Sequence, residues 1–227
     1  PKDVVSGDFY WYARASTGEL LLAARDCTGH GLPGAFMSVL GTSLLNHIGK
    51  EKGITHPSEV LRELDRRVRD TLGQLERSGT EASDQLTGNW HSMDVALCAF
   101  APGLRQVRFA GAHRPLLVCR GADVVELRGA RRPAGGGQAP TEANAYPTYE
   151  LDLSPGDAVF LTTDGFADQF GGPTLRRKFG GARLQGLLAS LPSQPAQATA
   201  LLEEALTAWR GRAAQLDDVL VIGVRVP

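Results

Sequence analysis

The 227-residue chain has little cysteine, no excess of either charge and no long apolar run. Its three cysteines, Cys27, Cys98 and Cys119, are too few and too scattered for a disulfide framework or a zinc knuckle. They point to a reducing, cytoplasmic setting. Lys plus Arg number 24 against 25 Asp plus Glu, a formal charge of −1. A duplex-DNA binder needs a basic excess to neutralise phosphates, so nucleic acid is disfavoured as a partner. The same balance disfavours an acidic disordered tail. No run of about 18 apolar residues occurs, so this segment makes no direct membrane contact by a span. Neither an initiator Met nor a basic-then-apolar leader opens the chain, which begins Pro1-Lys2-Asp3. The expectation is one domain over 1–227, the C-terminal output domain of a longer sensor protein. What is present is ordinary globular composition, 42% apolar and 22% charged, which supports a packed core. Among its 27 glycines, several stand beside aspartates.

Residues 3–14 and 19–25 read as strands around a turn at Ser16-Thr17-Gly18. A helix follows on the row Leu32, Phe36, Leu40, Leu44 and Ile48, with Ala35 and Val39 assigned to the same face and Gly49 as its stop. A second helix opens near Pro57 and carries Leu61, Leu64, Val68, Leu72 and Leu75 on one stripe. Residues 77–90 are polar and read as a mobile loop. Strand patterns occupy 93–100, 104–110, 115–119 and 123–127, and 128–146 reads as an irregular connector. Strands return at 148–153 and 157–163. Helices follow over 180–191 and 195–210, and the last strand is 218–226. Strands and helices do not alternate, so a doubly wound parallel sheet is disfavoured. The order fits an α+β fold, a four-layer α-β-β-α sandwich of two antiparallel sheets flanked by helix pairs.

Four aspartate sites share one local chemistry. Asp8 follows Ser6-Gly7, and Asp26 ends an apolar strand before Gly29-His30-Gly31. Asp164-Gly165 ends another strand, and Asp217-Asp218 opens the last. Glycine beside a strand-end carboxylate permits close approach of backbone or ion. Carboxylates gathered at one edge repel unless a cation neutralises them, and hard cations such as Mg²⁺ or Mn²⁺ take oxygen ligands. Two such ions about 3.5–4 Å apart lower the pKa of a shared water and clamp a phosphoryl group. Asp-Gly pairs are also ordinary turns, and Asp26 or Thr28 also suits a helix N-cap, so spacing alone leaves both readings open.

The motifs Val5-Ser-Gly-Asp-Phe-Tyr10, Asp26-Cys-Thr-Gly-His-Gly-Leu-Pro-Gly-Ala-Phe-Met-Ser38, Thr163-Asp-Gly-Phe-Ala-Asp-Gln-Phe-Gly-Gly172 and Asp217-Asp-Val-Leu-Val-Ile-Gly-Val224 stand in order along the chain. Together with Gly-Ala-His-Arg-Pro-Leu at 111–116, they resemble the bacterial metal-dependent protein phosphatases of the PPM (protein phosphatase type 2C) superfamily. Within it, the chain looks like the branch of the sporulation stage-two-E phosphatase and the stress sigma-factor regulators. The resemblance implies hydrolysis of phosphoserine or phosphothreonine in a protein with two Mn²⁺ or Mg²⁺ ions, and a third in some relatives. It assigns Asp8, Asp26, Asp164 and Asp217, with the backbone carbonyl of Cys27, to the metal ions. Asp26, Asp164 and Asp217 form the catalytic set. Asp168 matches a third-ion position, and Asp218 stands just outside the ligand set. The implied partners are a phosphorylated STAS-type regulatory protein in a partner-switching circuit and an N-terminal sensor region in the same chain; a homodimer stays open.

Two departures stand out. Leu220 occupies a position where the branch commonly has Thr or Ser, and reads as a core exchange. No residue matches the phosphate-gripping arginine of eukaryotic members, which leaves Arg14, Arg25 and Arg114 as candidates. His30 is either a general acid for the leaving serine or a packing residue at the helix start. Cys27 is not read as a nucleophile, because no phosphate loop ending in Arg follows it. His91 and His113 are read as structural, and Trp11, Trp90 and Trp209 as core or interface. Two alternatives remain, a catalytically silent phosphoprotein-binding domain and a metal-dependent phosphodiesterase or nuclease. The intact acid set argues against the first and the neutral charge against the second.

Overall fold

The structure, a computed structural model, describes residues 1–2, 6–27, 32–78, 92–136, 141 and 145–227. The first hairpin pairs β1 (Phe9–Arg14) with β2 (Leu20–Cys27), Phe9 standing opposite Arg25. Its turn closes where Gly18 N–H donates to Ala15 O, with Gly18 at φ +85°. β2 then pairs with β3 (Met93–Phe100), β3 with β4 (Gln106–Ala112), and β4 with β7 (Tyr149–Asp152), giving one antiparallel sheet in the order β1-β2-β3-β4-β7. The second sheet runs β11 (Val221–Arg225), β8 (Ala158–Thr162), β5 (Leu116–Arg120), β6 (Asp123–Leu127), again antiparallel.

Strand alternation sorts the side chains into layers. On β3, Met93, Val95, Leu97 and Ala99 face the first helix pair, while Ala96, Cys98 and Phe100 face the second sheet. On β8, Val159 and Leu161 face the first sheet, while Ala158 and Phe160 face the second helix pair. The first pair is α1 (Leu32–Asn46) and α2 (Pro57–Ser78), covering the first sheet with Met37, Leu45, Val60, Leu61, Leu64 and Val68. The second pair is α4 (Gly181–Ala189) and α5 (Pro195–Arg210), covering the second sheet with Leu184, Leu188 and the stripe that includes Leu202 and Trp209. The four-layer α+β sandwich is therefore present. No helix among the described residues is long and apolar enough to cross a membrane.

The structure corrects two local expectations. Phe36 and Val39 are exposed, while Leu40, Leu44 and Ile48 of the expected row do pack on the core, joined there by Met37 and Leu45. A row stepping by four residues gains about 40° per step on a helix of 3.6 residues per turn, so it drifts across the helix, from exposed Phe36 onto the core at Ile48. Gly49 does not stop the helix. The chain widens into a π-type turn over His47–Glu51, closed by Lys52 N–H on His47 O at 2.9 Å. There Gly49 lies against the Trp11 ring. Two small elements had no periodic signal, α3 (Gly165–Asp168) and the hairpin of β9 (Phe170–Gly171) with β10 (Arg177–Lys178). The loop expected over 77–90 lies almost wholly outside the described residues, with α2 running to Ser78.

Candidate active site

One end of the space between the sheets is lined by carboxylates. Leu22 and Ala24 on β2 point into the inter-sheet core, so the next residue on that face is Asp26, at the end of the strand. On β3 the same face ends in Asp94, directly opposite Asp26 in the register. From the second sheet, β8 ends at Thr162 and is followed by Thr163 and Asp164. Thr163 ties three segments together. Its N–H donates to Leu220 O at 3.1 Å, its Oγ1 accepts from Leu220 N–H at 3.0 Å, and its hydroxyl donates to Asp8 Oδ2 at 2.5 Å. Leu220 itself packs into the inter-sheet core, as a core exchange requires.

The first and second motifs meet at Ser38, whose Oγ lies 2.9 Å from Gly7 O. The first and fourth meet at Asp218, buried, which accepts from Lys2 N–H at 2.6 Å and Gly7 N–H at 2.8 Å. Burial opposes charge on Asp218, but these backbone donors outweigh it and hold the carboxyl below its usual range. Asp217 is exposed, and its Oδ1 accepts from Asp218 N–H at 2.8 Å. Gly165 sits so close to the Asp218 carbonyl that a Cβ would fall on it, which presses the third motif against the fourth.

Arg114 joins the two sheets at this mouth. Its Nη2 lies 2.6 Å from Asp164 Oδ2, 2.9 Å from Asp26 Oδ2 and 3.0 Å from Asp94 Oδ2. Burial works against its charge, and Asp164, Asp26 and Asp94 outweigh that and raise its pKa. The acids remain under-compensated. Burial pushes Asp8 up to about 7 against the Thr163 hydrogen bond, with Asp218, Asp217 and Asp164 adding repulsion. Burial and then Asp164 push Asp26 up to about 8 against the pull of Arg114, with Asp8 and Asp94 adding to the rise.

The structure thus brings Asp8, Asp26, Asp164, Asp217 and Asp218 into one electrostatic neighbourhood. Asp168 is not drawn in by its own contacts, because its carboxylate pairs with Lys178 Nζ at 2.8 Å. The Cys27 thiol is buried in the core beneath α1 and α2, and burial raises its pKa, so it offers no thiolate. His30 and Thr28 lie outside the described residues, as do His91 and Trp90. Of the three arginines, Arg14 is exposed on β1 and Arg25 is buried under α1 with its guanidinium 4.3 Å from the Phe9 ring centroid. Arg114 alone of these three reaches the acids. Sequence reasoning missed Asp94 and read His113 as structural, although His113 Nδ1 lies 2.9 Å from Asp94 Oδ1. The available signal was a single charge at an inward position of an otherwise apolar strand.

Among the described residues, no three His, Cys, Asp or Glu side chains stand close enough to hold an ion as they are placed. The donor chemistry nevertheless fits hard divalent cations. The acids are oxygen donors from both sheets, burial raises the pKa of Asp8 and Asp26, and the cluster already gathers around one cationic nitrogen.

A model of the family Stage II sporulation protein E (SpoIIE) matches residues 16–227. Among solved structures, the chain is similar to the SiaA-PP2C domain of Pseudomonas aeruginosa, with 33% identity and a TM-score of 0.81 over 99% of this chain and 82% of that one. It shares its fold with the PP2C phosphatase domain and regulatory-domain fragment of SpoIIE from Bacillus subtilis, at 20% identity and a TM-score of 0.70 over 98% of this chain and 59% of that one. It also shares it with RsbX in complex with magnesium, at 12% identity and a TM-score of 0.63 over 99% and 89%. No curated protein matches the chain.

Proposed function

The chain belongs to the SpoIIE family of PP2C-like phosphatase domains, and on that premise we propose that it is a metal-dependent protein serine/threonine phosphatase. Its substrate is phosphoserine or phosphothreonine on a small STAS-type regulatory protein in a partner-switching pathway. The observation that carries this reading is the convergence of carboxylates from the ends of both sheets on one cationic position. Asp26 and Asp164, with Asp8 and Asp217, are the residues that would hold Mn²⁺ or Mg²⁺, and magnesium in the RsbX structure supports an ion of this class. When bound, such ions activate water and neutralise charge on the phosphoryl oxygens.

The chain's own residues do the rest. Thr163 fixes the Asp8 carboxylate, and Asp218 anchors the backbone of the Ser6-Gly7-Asp8 turn, so the acids keep their spacing as charge changes. Arg114 supplies a fixed positive charge beside the same mouth, where a phosphoryl group carries its negative oxygens. A phosphate monoester is among the most inert bonds in water, and catalysis of its hydrolysis depends on positioning and charge stabilisation rather than on a protein nucleophile. Asp168 is the remaining candidate for a third ion, once released from Lys178. The three unpaired, buried cysteines suit a cytoplasmic setting. The regulatory fragment present in the Bacillus structure supports the reading of this domain as the output of a longer sensor.

The test is a serine-phosphorylated STAS-domain protein incubated with this domain and Mn²⁺. The expected result is stoichiometric phosphate release that chelation abolishes. Stable binding of the phosphoprotein without release would instead favour the silent binding domain.

A further inference from the structure

The Arg114 guanidinium is held in an uncommon way. One nitrogen, Nη2, with two hydrogens, faces carboxylate oxygens of Asp164, Asp26 and Asp94, while its buried Nε makes no hydrogen bond among the described residues. An arginine built for permanent bridging uses its fork in parallel bonds. Here the group acts as a point cation shared among three acids.

Its position is built by the backbone. Arg114 N–H donates to Ala112 O at 2.7 Å across His113, which has φ +59°. That is a three-residue turn of the rare, strained hand, in a non-glycine residue. Gly111 and Gly129 both lie so close to Arg114 O that a Cβ on either would collide with it. His113 N–H donates to Ala130 O at 2.9 Å, and Ala130 N–H to Gly111 O at 2.7 Å. The turn therefore aims two neighbouring side chains at Asp94. His113 Nδ1 takes Oδ1 at 2.9 Å and Arg114 Nη2 takes Oδ2 at 3.0 Å. Asp26 and Asp164 each give Arg114 one oxygen, Oδ2.

We propose that Arg114 is an internal counter-cation that competes with divalent metal for Asp26 and Asp164, and that Asp94 is the acid on which it rests when metal takes those two. This rests on the metal-dependent reading above. A divalent ion on those oxygens and a guanidinium within 3 Å of them are like charges in one partly buried mouth, and they repel. Asp94, opposite Asp26 and engaged at both oxygens by the 113–114 turn, keeps the arginine within reach without its blocking the ion. Arg114 is thereby a positioning residue for the metal centre, setting its affinity.

The experiment is Mn²⁺ titration by calorimetry on the chelated protein, paired with its thermal denaturation in EDTA. Arg114→Gln is expected to bind Mn²⁺ roughly tenfold more tightly than wild type and to melt lower in EDTA. Arg114→Lys keeps the charge and should keep near wild-type affinity. Asp94→Asn should bind Mn²⁺ several-fold more weakly, because Arg114 loses its resting acid. Arg114→Gln combined with Asp94→Asn should bind as tightly as Arg114→Gln alone. Equal or weaker binding by Arg114→Gln would overturn the competition. A double variant weaker than Arg114→Gln would overturn the resting role and make Asp94 a ligand. If Arg114→Gln does not fold without metal, unchanged affinity in Asp94→Asn is the overturning result. Tighter binding by Arg114→Gln alongside metal-independent phosphate release would sink the functional reading and leave this one standing. Failure of the wild type to bind Mn²⁺ would sink both.

Discussion

Asp65 is fully buried on α2, and its removal should be strongly destabilising although it lies outside the acid cluster. Its Oδ2 accepts from Arg69 Nη2 at 2.7 Å and Nε at 3.1 Å. Its Oδ1 accepts from Gly135 N–H at 2.9 Å and Arg132 Nη2 at 3.1 Å, with Tyr146 Oη at 3.4 Å. One carboxylate thus pins α2 to the connector at Arg132, Gly135 and Tyr146. Asp65→Ala removes a buried acid that Arg69 and Arg132 both engage, and the acceptor of the buried Gly135 N–H. Breaking such a pair costs about 3–5 kcal/mol. The stranded amide falls inside that range, because Arg69 is about a quarter exposed and can turn to water. For a chain of this size the loss corresponds to a fall of about 6–11 °C in Tm. Asp65→Asn retains Oδ1 as an acceptor and should fall between wild type and alanine. Urea denaturation measures the free energies. Hydrogen exchange locates the damage at Ala130 and Ala134, whose N–H groups bond to Gly111 O and Met93 O beside Arg114 and Asp94. A loss below about 1 kcal/mol, or exchange protection lost first on α4 and α5, would show that Asp65 does not pin α2 to the connector.

In chelator, stability should fall as pH rises from about 4 to 8. Asp8 at about 7 and Asp26 at about 8 hold protons in the folded state that the unfolded chain releases near pH 4, so raising pH favours unfolding over that window. Saturating Mn²⁺ should flatten the slope, because ion binding needs ionised acids; urea midpoints at pH 5 and 8 decide it, and a flat chelated profile contradicts it. Gly165→Ala forces a Cβ onto the Asp218 carbonyl and should cost about 1–3 kcal/mol together with Mn²⁺ affinity. Wild-type affinity in calorimetry would show that the close approach is dispensable. Cys27→Ser should lose stability, since a buried hydroxyl is costly, yet keep its rate per folded molecule. Abolished turnover in a folded Cys27→Ser protein would point to a role for the thiol.

Much of the architecture is legible in local pattern. The strands over Met93–Phe100 and Asp123–Leu127 and the helix over Pro195–Arg210 follow from apolar runs, turn residues and a clean stripe. The hairpin of two-residue strands at Phe170 and Arg177 does not. It is held by the close packing of Gly171 and Gly172 on Trp209, a contact between distant residues with no periodic trace. The face of α1 is only partly legible, because Phe36 and Val39 are apolar yet exposed; Met37, Leu45 and the close approach of Gly41 to Arg25 mark the side that meets the sheet. The site divides the same way. Asp8, Asp26, Asp164 and Asp217 are marked by neighbouring glycines or strand ends. Asp94, and the choice of Arg114 among three candidate arginines, become visible only in the fold, where Asp26 stands opposite Asp94 and a strained turn carries Arg114 across from one sheet to the other.

In the proposed function, carboxylates at the mouth between the sheets make this domain a metal-dependent phosphatase. Mn²⁺-dependent release of phosphate from an aryl phosphate, by the wild type and by Asp164→Ala, tests it most directly. The wild type is expected to release phosphate in a way that EDTA abolishes, and Asp164→Ala to release it no faster than the chelated wild type. Equal rates in the two proteins, or a rate that survives chelation, would contradict it.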